Sequence, residues 1–87
     1  MNVDRLVAMV NDISAFFTAE AGPEAPAAVA HHLRRFWEPR MRREIVAAYR
    51  SDASSLRNLS ETGRAAIAEL ARDDDARNAK VKMQNAN

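Results

Sequence analysis

Cysteine is absent from the 87-residue chain, so it can hold no disulfide, no iron–sulfur cluster and no thiolate zinc site, and it has no thiol nucleophile. Glycine and proline are scarce, at two and three residues. That leaves too little turn material for a many-stranded β fold and no glycine-rich loop to cradle a phosphate or a dinucleotide. Excess charge of one sign is missing as well. Thirteen Lys and Arg stand against 12 Asp and Glu, a balance that argues against a generally basic coat for nucleic acid. Long hydrophobic runs are also lacking. The run Leu6 to Val10 follows Asp4 and Arg5 and is too short for a signal-peptide core or a bilayer span. The expected compartment is the cytoplasm, with no membrane partner.

What is there suits one small soluble domain: 47% hydrophobic and 29% charged residues, in a chain short enough to bury only about 60–65% of its unfolded surface. The apolar spacing is helical. Val3, Leu6, Val7, Val10, Ile13 and Phe17 lay one stripe along a helix over residues 3–20, with Asn2 as N-cap, Met9 and Phe16 on the flanks and Gly22-Pro23 as the stop. A second helix is expected over 26–38, with Val29, Ala30, Leu33, Phe36 and Trp37 on its apolar face and His31 and Arg35 opposite. Pro39 breaks it, and a third helix follows over 40–50, with Met41, Ile45 and Ala48 inward and Arg43 and Arg50 outward. Residues 51–55 read as a loop. Ser60 caps a last helix through Ala66, Ile67, Leu70 and Ala71, starting weakly because Gly63 stands where a capping box wants Glu. The expectation is an all-α fold, a small bundle of three to four short helices over residues 1–72, with a flexible, disordered polar tail over 73–87. The expected core is Val7, Val10, Ile13, Phe17, Leu33, Phe36, Trp37 and Ile45.

Catalytic constellations are thin. His31 and His32 are the only imidazoles. As helix neighbours they point roughly 100° apart and cannot close on one metal as an i, i+4 pair would. The serines lack a nucleophile-elbow setting, and Asp73, Asp74 and Asp75 read as a solvated charge run. No catalytic, cofactor-binding or metal-binding residue is assigned, and no cofactor is expected in this chain.

The charge is, however, unevenly distributed. Residues 31–50 hold six Arg against Glu38 and Glu44, a local net of +4, whereas the remainder carries a net of −3. Trp and Arg around a proline break form the composition enriched at protein interfaces. The alternative is a small helical nucleic-acid-binding module using the basic segment Arg34–Arg50, since guanidinium groups also neutralise phosphates. The low net charge and the two intervening Glu argue against it.

Two strings carry a resemblance: Leu6-Val7-Ala8-Met9-Val10-Asn11-Asp12-Ile13-Ser14-Ala15-Phe16-Phe17 and His32-Leu33-Arg34-Arg35-Phe36-Trp37-Glu38-Pro39-Arg40-Met41-Arg42. Together they resemble the delta subunit family of soluble NAD-dependent formate dehydrogenases, over about residues 3 to 70, with Glu38 where Asp is usual. The resemblance implies a non-catalytic accessory subunit that binds the catalytic (alpha) subunit and supports assembly, cofactor insertion or stability. It implies that the cofactors of the complex, a molybdenum or tungsten bis-molybdopterin guanine dinucleotide, iron–sulfur clusters, FMN and NAD, reside in the larger subunits. By similarity, Arg34, Arg35, Trp37, Pro39, Arg40 and Arg42 are the expected partner contacts.

Overall fold

In the structure, a computed structural model, the backbone is described for residues 2–85 and the side chains for residues 2–76. Among the described residues four α-helices follow one another: α1 (Val3–Ala21), α2 (Ala25–Phe36), α3 (Pro39–Arg50) and α4 (Glu61–Asn85), with short 3-10 segments at Gly22–Glu24 and Ser54–Asn58. Among the described residues there is no strand, so the fold is all-α as the apolar spacing requires.

The helix ends follow local chemistry. The Asn2 side chain accepts a 2.7 Å hydrogen bond from the Asp4 N–H and so satisfies one of the free donors at the start of α1. At the other end Gly22 takes φ +54, a left-handed conformation open to glycine at little cost, and its N–H closes on the Thr18 carbonyl. Pro23 and Pro39 each sit in the first turn of the next helical segment, where no backbone donor is needed. Ser60 caps α4, its Oγ accepting from the Gly63 N–H at 3.0 Å.

The core draws on every α-helix and the second 3-10 turn. Leu6, Leu33, Ile45, Leu56 and Ile67 are fully buried together with Val10 and Val29. Each large side chain contributes about 1.5–3 kcal/mol from removal of its surface from water. α4 packs against α1, α2 and α3, and α2 also packs against α1. The crossing of α4 over α1 is close. A Cβ on Gly63 would lie 2.9 Å from Val10 Cγ1 and 3.2 Å from Ser14 Oγ. Gly63 is therefore a packing glycine, and the capping-box Glu it replaces has no room. Asn11 ties the same corner: its side-chain amide donates to the Asn58 carbonyl and its oxygen accepts from the Ser60 N–H, both at 2.8 Å.

Several expectations are corrected. Phe36 is exposed (66%), whereas its neighbour Trp37 is buried (6%). The helix ends between them, and Trp37 takes an extended conformation that turns it inward. Ile13 and Phe17 lie half-buried at the margin of the core rather than within it. The loop over 51–55 gives way at Ser54 to a 3-10 turn that buries Leu56. Arg50 turns toward α4 rather than away from it. Finally, α4 does not stop at Arg72. Asp73, Asp74 and Asp75 stand within it, and the rest of the expected tail, from residue 77, lies outside the residues whose side chains are described.

Candidate partner-binding surface

The arginine-rich elbow between α2 and α3 is built by two extended residues, Trp37 and Glu38, between helices that end and begin abruptly. Pro39 allows the abrupt start, since its ring presets the helical φ. Glu38 occupies the N-cap of α3 but makes no side-chain cap there. Its longer side chain does not do what a short carboxylate at that position can.

The arginines expected to act together are divided by the fold. Arg42 faces inward. Its Nη1 donates toward the carbonyls of Trp37 (2.5 Å), Arg34 (3.0 Å) and Leu33 (3.3 Å). These are acceptors at the C-terminal end of α2, where the helix dipole is negative and a cation is favoured. Arg34 crosses to α4 and pairs with Asp73 at 2.5 Å. Arg50 does the same farther along, with Nη1 3.2 Å from Asp74, and Nη2 2.6 Å from Asp75 and 2.9 Å from the Ala71 carbonyl. The Asp triplet is thus the counter-charge of the basic elbow. Each of the three carboxylates lies against a guanidinium group, which offsets their mutual repulsion.

Arg35, Pro39 and Arg40 remain exposed, as does Arg43 on the next turn of α3. Among the described residues none of these three arginines has a hydrogen-bonded or ion-pair partner. Arg35 lies over the Phe36 ring, 5.8 Å from its centroid, within the range of a cation–π contact. A cleft of about 300 Å³ opens between α3 and α4 beside them, lined by Arg34, Arg42 and Arg43 on one side and Asp73 and Asp74 on the other. Within it Arg34 pairs with Asp73, while Arg42 is held by backbone carbonyls and Asp74 by Arg50. Trp37, expected as a contact, is part of the core, and its ring supports the elbow from beneath.

An aromatic row beside the elbow, taken as a whole, lies outside the faces expected from the sequence. Phe16 meets Phe17 edge-on at 5.0 Å, Phe17 meets His32 at 5.8 Å, and His32 meets Phe36 at 4.8 Å. Phe16, on α1, is itself exposed (58%). The signal was present in two places: Phe16 lies off the apolar stripe of α1, and His32 and Phe36 stand four residues apart on α2.

Among the described residues no group of three or more His, Cys, Asp or Glu is placed to hold a metal ion, and no helix is long and apolar enough to cross a membrane. The sequence family described as NADH-dependant formate dehydrogenase delta subunit FdsD matches residues 5–72 of the chain. Neither a curated protein nor a solved structure matches it.

Proposed function

The chain belongs to the FdsD family of NADH-dependent formate dehydrogenase delta subunits, and from that premise we propose that it is a non-catalytic accessory subunit. In this reading it binds the catalytic (alpha) subunit in the cytoplasm and supports assembly, cofactor insertion or stability of the complex. The molybdenum or tungsten pterin, the iron–sulfur clusters, FMN and the NAD site belong to the larger subunits. This chain has no cysteine to ligate a cluster.

One observation carries the reading. At the elbow, Arg35, Arg40 and Arg43 point outward without an ion-pair partner among the described residues, while Arg34, Arg42 and Arg50 are satisfied within the chain. Guanidinium groups left free beside a proline-rigidified corner are suited to forked hydrogen bonds with a partner's carboxylates or carbonyls. Of the positions named from sequence, Arg35, Pro39 and Arg40 form the outer contact. Arg34, Trp37 and Arg42 hold that surface in place. The nucleic-acid reading loses support for the same reason: half of the elbow's arginines are already neutralised or turned inward.

The test is co-expression of the tagged full chain with the dehydrogenase subunits. The account expects the catalytic subunit to co-purify, and expects a lower fraction of cofactor-loaded enzyme when the chain is omitted. Failure to capture that subunit, together with steeply salt-dependent binding to mixed-sequence DNA, would transfer the assignment to the nucleic-acid module.

A further inference from the structure

Among the described residues Phe16 and Phe36 are the large hydrophobic side chains left exposed, and they stand at the two ends of one row. Phe17 and His32 join them ring to ring across α1 and α2. A lone exposed phenylalanine is common and needs no explanation. Two of them at the ends of a continuous, ring-packed ridge form a patch, and exposed apolar patches mark contact surfaces. Every ring in it already touches a neighbour, so part of its rotamer freedom is lost before a partner covers it. Arg35 adds a sign to the patch, because its guanidinium lies over Phe36 and has no carboxylate partner among the described residues.

Resting on the reading of the chain as an accessory subunit, we propose that this ridge is the anchor of the interface. It would insert Phe36 and Phe16 into an apolar recess of the dehydrogenase catalytic subunit whose rim presents a carboxylate to Arg35. Charge and area select this occupant over a second copy of the chain. A two-fold pairing centred on Phe36 sets Arg35 of each copy beside that of the other, like charge against like. The apolar part of the ridge is only two exposed rings wide, well short of the about 800 Å² per partner that a stable interface buries. A larger, concave subunit can reach past the ridge and cover the adjoining elbow of this chain as well, bringing the buried area toward that size. The elbow arginines then form the polar rim of the contact, and the aromatic row forms its centre.

The experiment measures binding of the full-length chain to formate dehydrogenase prepared without it, using wild type, the double variant Phe16→Ser/Phe36→Ser, Arg35→Glu, and the control Arg5→Glu at the far end of α1. Circular dichroism is recorded for each, and the oligomeric state of the free chain is measured by sedimentation. The expected result is a loss of affinity of about tenfold or more for the double variant and for Arg35→Glu, with Arg5→Glu at the wild-type level. Wild-type-like binding by both folded ridge variants would overturn the inference while leaving the accessory role intact. A wild-type chain that does not bind at all would instead remove the accessory reading itself. A free wild-type dimer that the ridge variants abolish would identify a second copy as the occupant and overturn the proposal. Should the double variant lose helicity, Arg35→Glu decides alone, since it changes only an exposed side chain.

Discussion

The inner and outer faces of the elbow are made from the same residue types, yet the fold uses them in opposite ways. On the inner face Trp37 is buried and Arg42 is held by three backbone carbonyls. On the outer face, one residue away in each case or nearly so, Phe36 and Arg40 are exposed. Arginine in such a segment is therefore no guide to its role. What separates the two sets is whether an acceptor stands within reach: the open C-terminal carbonyls of α2 for Arg42, and the Asp triplet of α4 for Arg34 and Arg50.

The adjacent aromatics give the sharpest contrast. Trp37→Ala should cost roughly 3–5 kcal/mol, a large share of the stability of a domain this size, because it empties a packed site beneath the elbow. Phe36→Ala should stay within about 0.5 kcal/mol of wild type. Paired urea or thermal melts measure both, and similar losses for the two would break the inner–outer division.

Next in size are the two α3 arginines. Removing Arg42 leaves carbonyls at the end of α2 without their charged donor, and Arg42→Ala should cost about 1.5–3 kcal/mol by denaturant unfolding. Arg40→Ala should be nearly silent in the same assay. A smaller effect belongs to the bridge between α2 and α4. Arg34 and Asp73 are both close to half-exposed, so solvent screens the pair. A double-mutant cycle on Arg34→Ala and Asp73→Ala should give a coupling of only about 0.2–1 kcal/mol, shrinking as salt is raised. A larger, salt-insensitive coupling would mean that the bridge behaves as part of the core.

These contrasts mark what the sequence made legible. Asn2, Gly22-Pro23, Pro39 and Ser60 punctuate the chain through short-range chemistry, and each stands where it was expected to act. The apolar faces Val29-Ala30-Leu33 and Ala66-Ile67-Leu70-Ala71 follow from helical periodicity and are buried as read. Periodicity failed at Phe36, which the 100° step sets on the apolar face and which is exposed, whereas Trp37 is buried as expected although it has left the helix and is directed inward by the turn. Gly63, read only as a weak start to the last helix, is needed for a neighbouring helix to approach. The Asp triplet is largely exposed as read, but its ion pairs were not legible because the counter-charges lie 24 to 39 residues away in sequence. Within the candidate site, the chemistry of the elbow could be read from one segment. The aromatic ridge could not, since it takes its rings from two helices that only the fold brings together.

The most direct test of the division between a structural inner face and a binding outer face is hydrogen exchange on the full chain, free and bound to the dehydrogenase. The account predicts added protection on binding at the C-terminal half of α1 around Phe16, and from His32 through the first turn of α3. The segment Leu56–Ala71 should be unchanged. Protection confined to α4, or none along the elbow and ridge while the complex is intact, would contradict it.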